Sequence, residues 1–278
     1  MLGHVLSTKT GVSLDSLIEK RICAPLEMSA TSFDATPSGP GHDVDGNHAA
    51  HWPAGESVLR GAFALRSSCA DMLKLAAATL EPERTPLKDA LTLSLQPCAT
   101  INELEKSALG WKLNKFGVIY TTGATGGFRC AMYLHPQSKT GVVLMANTQV
   151  GGVTGGRGGL FDALGGSLLN VTLGAQPLEI EFPAAADTAA GPLNDFVGGF
   201  VPEDGSRDPS FPIRLEDGKL MTLGPGGVEQ RLWPLKENTF FLRAYISELR
   251  FLRNADGDVT GCELSFEGRT ARLKKNTD

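Results

Sequence analysis

The sequence predicts an α+β protein: helices with antiparallel strands in a first domain, then a small antiparallel β-barrel. Three observations carry that prediction. Apolar residues recur at helical spacing early in the chain, the period falls to two from Ala108, and after Gly191 short alternating runs are separated by Asp-Gly and Glu-Gly pairs. The implied organisation is a first domain over residues 1–173, a Pro/Ala-rich linker over 174–191 and a barrel domain over 192–278.

Leu14, Leu17, Ile18 and Ile22 mark a helix behind Ser13, a residue type that caps helix starts, and Pro25 closes it. Residues 34–57 are polar and rich in breakers, which reads as a long surface loop of the kind that borders sites. A second helix starts at Ser68, with Asp71 three residues on as a short-armed capping box. Met72, Leu75, Ala76 and Leu80 form its apolar face, on which Thr79 is the one polar interruption. A third helix follows Thr85-Pro86, its face set by Leu87, Ala90, Leu91, Ser94 and Leu95. Strands are predicted at Ala108–Leu113, Gly117–Thr121, Phe128–His135 and Gly141–Asn147, with turns at Asn114-Lys115 and Pro136–Lys139. A glycine-laden stretch from Gly151 to Gly159 leads into a helix carrying Leu160, Phe161, Leu164, Leu168 and Leu169. Beyond it, Asp217-Gly218, Asp256-Gly257 and Glu267-Gly268 signal hairpins. Phe211, Ile213, Leu220, Phe240, Phe251 and Leu273 are among the residues that would fill the barrel. No helix is predicted after 191, and no repeat is found.

Composition narrows the function. Of 278 residues 41% are hydrophobic and 21% charged, enough for a sizeable core. The net charge is −5, with no basic excess in either half, which argues against nucleic acid. The longest strongly apolar run, Val142–Ala146, is too short for a membrane span, and no charged-then-apolar leader opens the chain. The chain therefore reads as soluble, its compartment unassigned. Cys23, Cys69, Cys98, Cys130 and Cys262 are scattered without a CxxC pair, and most read as small buried hydrophobes.

Four strings in order resemble the serine β-lactamase-like family: class C β-lactamases, penicillin-binding-protein-type peptidases and related esterases. Pro25-Leu26-Glu27-Met28, Thr31 and Phe33 stand in a PLGM-x-x-T-x-F-like pattern. Residues 61–75 (GAFALRSSCADMLKL) look like that family's G-G-L-x-S-T-x-x-D-L helix start. Residues 109–147 resemble its C-terminal hairpin strands, and residues 192–278 the lipocalin-like extension often appended to it. The resemblance implies a partial β-lactamase-like domain in a lineage that hydrolyses amide or ester bonds of small acyl substrates through an acyl-serine intermediate. No cofactor and no metal are implied.

That chemistry needs a serine with a lysine one helical turn on, S-x-x-K. No serine in this sequence has a lysine three residues later, and the nearest pair, Ser16 and Lys20, is spaced by four. The Y-x-N motif is also absent, so the expectation is that the segment holding both is missing from this chain, and no catalytic residue is assigned. For the third motif, K-T-G or H-x-G, the strings Lys9-Thr10-Gly11 and Lys139-Thr140-Gly141 read as decoys. Neighbouring elements instead align Thr121-Thr122-Gly123-Ala124, the substrate-binding candidates. Thr121 replaces a cationic or titratable residue, so it hydrogen-bonds without charge. The Ala124 N–H would match the family's second oxyanion donor.

Two other groupings are weaker. His42, Asp43, Asp45, His48 and His51 cluster in the 34–57 loop. Ala54 stands where a calcium loop needs a bidentate Glu, and Pro53 argues against a helical His48-x-x-His51 zinc clamp, which leaves a pocket rim or plain loop. Gly151–Gly159 lacks the Lys-Ser/Thr of a phosphate loop. The alternative to a hydrolase is a non-catalytic ligand-binding or scaffold protein that uses the 121–124 cleft or the barrel interior. With family strands missing, a sheet edge in 117–147 would be exposed, which predicts self-association or cover by the barrel.

Overall fold

Ser13 and Ser68 cap helices as their positions predict. The Ser13 side chain accepts the Ser16 N–H at 3.2 Å and that of Ser68 the Asp71 N–H at 3.2 Å. The computed structural model describes residues 1–34, 39–43, 45–51, 58–148, 160–177, 192–204, 211–223, 229–242, 247–266 and 269–276. The predicted Gly151–Gly159 stretch, most of the 174–191 linker, Pro53, Ala54 and the Glu267-Gly268 turn lie outside the described residues. The chain divides into two compact units, one of Met1–His42, His48–Thr148 and Leu164–Leu178, the other of Asp43–Asn47, Gln149–Ala163 and Glu179–Asp278.

In the first unit the helices are α1 (Leu2–Thr10), α2 (Leu14–Ile18, continued by a wider turn over Glu19–Cys23), α3 (Arg60–Phe63), α4 (Cys69–Leu80), α5 (Lys88–Ser94) and most of α6 (Leu160–Thr172). A two-stranded ribbon, β1 (Gly41–His42) with β2 (His48–Ala49), interrupts the predicted 34–57 loop. The main sheet is antiparallel, in the order β3 (Ala99–Asn102), β4 (Glu105–Ser107), β5 (Lys112–Asn114), β6 (Ile119–Thr125), β7 (Phe128–His135) and β8 (Thr140–Ala146). Two of these, β3 and β4, were not predicted. The expected strand at Ala108–Leu113 shrinks to β5 because Gly110, at φ 81°, turns the chain first.

Asp71 departs from the capping-box expectation. Its carboxylate leaves its own helix start and accepts from the Ala30 N–H and the Thr31 hydroxyl, each at 2.8 Å, pinning α4 to that segment. The buried Thr79 is satisfied on its own helix, donating to the Leu75 carbonyl at 2.8 Å. The third helix starts at Lys88, later than predicted, because the Thr85 hydroxyl accepts the Leu87 N–H and holds a non-helical turn. One face of the sheet packs Ile119, Met132 and Leu134 against Ala76 of α4. On the other face Gly165 lets α6 lie on Tyr133, since a Cβ there would stand 2.2 Å from the ring.

The second unit is an antiparallel sheet of nine strands: β9 (Gly198–Pro202), β10 (Phe211–Glu216), β11 (Lys219–Leu223), β12 (Glu229–Arg231), β13 (Trp233–Lys236), β14 (Thr239–Leu242), β15 (Ser247–Arg253), β16 (Val259–Phe266) and β17 (Arg269–Lys275). Its two terminal strands, β12 and β13, are halves of one segment joined at Leu232, so the sheet closes on itself as an up-and-down barrel. Asp217 and Gly218 turn one hairpin at φ 48° and 71°, the two left-handed positions the Asp-Gly signal implies. A short 3-10 turn, Leu193–Phe196, corrects the expectation of no helical residues after 191. Its Phe196 joins Phe200, Phe240 and Phe251 in one aromatic cluster. The cysteine expectation also needs correction: Cys23 and Cys262 are buried, whereas Cys69, Cys98 and Cys130 are exposed. No helix among the described residues is long and apolar enough to cross a membrane.

Candidate functional site

The segment Thr121–Ala124 forms the middle of β6 and pairs residue for residue with β7: Thr121 with Met132, Thr122 with Ala131, Gly123 with Cys130, Ala124 with Arg129. On the other side β5 is short. It meets β6 only through Lys112–Tyr120 and Leu113–Ile119, so no strand among the described residues pairs with that edge of 121–125. A two-residue turn joins β6 to β7, with Thr125 opposite Phe128 as the closing pair. Hydrogen-bonded pairs alternate from a closing pair, so Thr122 and Ala124 direct N–H and C=O to the open edge while Thr121 and Gly123 bond inward to β7. Side chains alternate too: Thr121 and Gly123 share the α4 face with Cys130.

Cys130 is the obvious stand-in nucleophile on that face, its sulfur 3.3 Å from where a Gly123 side chain would begin. Its thiol pKa is raised. Desolvation by the protein packed around it outweighs the Gly123 N–H and the Arg129 charge. The side chain still meets solvent, so this is crowding rather than enclosure. A thiol held protonated does not replace an activated serine.

The loop carrying the histidines sits at the tip of this hairpin. The His42 N–H donates to the Gly127 carbonyl at 3.2 Å and to that of Asn147 at 3.0 Å, and Asn147 Nδ2 donates to the Pro40 carbonyl at 3.1 Å. Gly127, at φ 79°, lies so close that a Cβ on it would be 2.5 Å from the Gly41 Cα. His51 stacks on Phe128 with ring centroids 5.2 Å apart, whereas His48 meets His42 edge-on. The two rings of the imagined zinc clamp thus face different partners, and His48 lies in a strand. Asp43 turns its carboxylate onto its own loop, taking the Asp45 and Asn47 N–H groups at 2.9 Å each. Among the described residues no three His, Cys, Asp or Glu side chains are grouped to hold a metal. The Gly41–Gly127 contact was not legible in the sequence, where Gly41 fell within the 34–57 loop.

The two K-T-G strings lie elsewhere. Gly11 is the left-handed C-cap of α1, and Lys139 is the left-handed end of a turn, paired with Glu81 at 2.9 Å. Ser16 and Lys20 fall in α2 and the turn after it. A groove of about 670 Å³ is lined by Asp15, Cys23, Glu27, Met28, Phe33 and Lys74 among others, and no β6 residue reaches it. Beneath its floor Asp71 is buried. Burial works to raise its carboxyl pKa, but the Thr31 hydroxyl, the Ala30 N–H and Lys74 win and hold it below the ordinary value.

Comparison with known proteins places the first unit. No curated protein matches the chain significantly. Two solved structures, a class C beta-lactamase and a tyrosine-to-phenylalanine mutant of one, each share 19% identity at a TM-score of 0.47. Each match covers 53% of this chain and 50% of the other, so this chain spans about half of their length. The family model described as Beta-lactamase matches residues 1–166, more than half of the chain. The chain belongs to the beta-lactamase family.

Proposed function

We propose that the open edge of β6 is one wall of an acyl-transfer site in the serine-hydrolase lineage, acting on amide or ester bonds of small acyl substrates. One observation carries this reading: among the described residues, 121–125 have a strand on one side only, with the Ala124 N–H directed outward. An extended acyl group adding beside β6 would bring its carbonyl oxygen to that donor. In acyl-transfer enzymes such a donor is worth about 3 kcal/mol to the transition state. Thr121 offers a hydroxyl and no charge, so this wall holds substrate by hydrogen bonding. The attacking serine and its lysine have no S-x-x-K counterpart in residues 1–278. The edge therefore acts in hydrolysis only together with a nucleophile from elsewhere. The second reading, a binding protein without turnover, is favoured by that same missing pair.

The test combines turnover of nitrocefin and p-nitrophenyl acetate, labelling with a fluorophosphonate, and amide NMR during titration with benzylpenicillin. The expected result is no labelling and no turnover, with shifts at Gly123 and Ala124 that vanish in Ala124→Pro, which lacks the N–H. Labelling of a native serine would overturn the assignment of the nucleophile, and absence of shifts at these amides would overturn the wall.

The outer edge of β8 is also without a strand partner among the described residues and carries no charge from Thr140 to Ala146. We propose that it pairs with a second copy, since uncharged edges template strand addition. Light scattering should show association that Met145→Lys abolishes. A wild-type monomer at high concentration would refute this.

A further inference from the structure

The ribbon of β1 and β2 sets two imidazoles side by side. His42 and His48 are register partners, and in the adjoining pair the Asp43 N–H donates to the Asn47 carbonyl at 2.9 Å. Hydrogen-bonded and non-hydrogen-bonded pairs alternate along an antiparallel ribbon, which makes His42 and His48 a non-hydrogen-bonded pair. The His42 N–H accordingly goes to the Gly127 and Asn147 carbonyls instead of to His48. In a pair of this kind the two side chains leave the same face at the closest approach a sheet allows. Their ring centroids stand 5.3 Å apart.

One nitrogen of His42 is already committed. Its Nδ1 lies 3.0 Å from the Asn147 carbonyl oxygen, which only accepts, so in the neutral ring the proton sits on Nδ1 and Nε2 carries a lone pair. Metal-ligating histidines are oriented in this way, the second nitrogen donating to a backbone carbonyl that fixes tautomer and ring direction. Among the described residues no donor or acceptor meets the Nε2 of His42 or either nitrogen of His48, whose side chain is exposed. The Asp43 carboxylate beside them is spent on the Asp45 and Asn47 N–H groups. Two imidazole nitrogens about 2.0–2.1 Å from one tetrahedral ion put their ring centres about 5 Å apart, close to the separation found here. The edge-on His48 ring needs only a turn about its Cβ–Cγ bond, a soft torsion.

We propose that His42 and His48 chelate a divalent transition-metal ion of the zinc and copper(II) class, with water completing its coordination. Two neutral nitrogens without a thiolate or a free carboxylate suit these ions, whereas magnesium and calcium seek oxygen. The ion ties β2 to β1, and β1 is already held to the tip of the β6–β7 hairpin through the Gly127 and Asn147 carbonyls. This pairing runs across the ribbon, unlike a His48–His51 clamp, because the His51 ring is stacked on Phe128. It is independent of the acyl-transfer reading of the β6 edge, and failure of either leaves the other standing.

The test titrates the full chain with zinc chloride and follows the histidine ring signals by NMR. The His42 and His48 signals should move together along one saturable curve, while those of His4 and His135 stay in place. His48→Ala removes an exposed ring that makes no hydrogen bond among the described residues, and should weaken zinc binding at least tenfold. His51→Ala should leave the affinity unchanged, and excess magnesium should not displace the zinc. Unmoved His42 and His48 signals, or undiminished binding in His48→Ala, would overturn the site. An equal loss in His51→Ala would overturn the cross-strand pairing, and displacement by magnesium would overturn the imidazole donor set.

Discussion

The two units make opposite use of the same backbone chemistry. In the barrel the two terminal strands of the sheet, β12 and β13, meet at Leu232 around one continuous core. The sheet of the first unit stops short at both ends and beside Thr121–Thr125, and its buried apolar residues fall into separate smaller clusters. Pairing around the barrel commits most of its strand donors and acceptors to the fold. Openness leaves backbone N–H and C=O groups for a ligand. The lesson is that a site of backbone donors needs an interrupted sheet, and the interruption weakens the core around it.

The largest test of this contrast lies in the barrel. Phe251→Ala removes a ring packed on Phe196, Phe200 and Phe240 and should cost about 3–5 kcal/mol. Hydrogen exchange should rise across β14–β16 and stay unchanged in α4 and β6–β8. Simultaneous loss of protection in both would break the separation into two units. Asp71→Ala probes the first unit, where one carboxylate holds α4 to Ala30 and Thr31, and should cost about 2–3 kcal/mol in denaturant unfolding. Because the native carboxyl titrates below its unfolded counterpart, the unfolded chain takes up the proton first. Its contribution is complete above about pH 4 and drains away as pH falls through the lower native value. A variant whose acid unfolding tracks the parent would contradict this.

Gly127→Ala sharpens the view of the site. A Cβ at φ 79° facing Gly41 should cost about 2 kcal/mol and release the His42 amide to exchange. Unchanged protection at His42 would show that the loop is held otherwise. The smallest expected effect runs the other way. Glu27 occupies the glycine place of the PLGM-like string at φ 56°, so Glu27→Gly should stabilise by about 1 kcal/mol in the same unfolding assay.

How much of this was legible in the sequence depends on the range of the interaction. Ser13, Ser68 and Asp217-Gly218 act within a few residues, and their roles could be read directly. β7 could be read too, because Phe128 to His135 alternate between two covered faces. β3 could not: Ala99–Asn102 are all exposed and carry no alternation. Asp71 misled because its partner lies some forty residues away, at Ala30 and Thr31. The place of the candidate site came from resemblance, since Thr121-Thr122-Gly123-Ala124 carries no chemistry of its own. Its openness depends on where β5 stops, which a local pattern does not encode. Barrel closure at Leu232 and the Gly41–Gly127 contact are long-range for the same reason.

One detail of the barrel bears on how such a module can travel between proteins. The Asn276 N–H donates to the Gly199 carbonyl at 2.7 Å, and β17 lies beside β9. The entrance and exit of the barrel polypeptide are therefore neighbours. A domain with adjoining ends can be spliced into a surface turn of a host, or opened at another turn and rejoined here, with little strain on either partner.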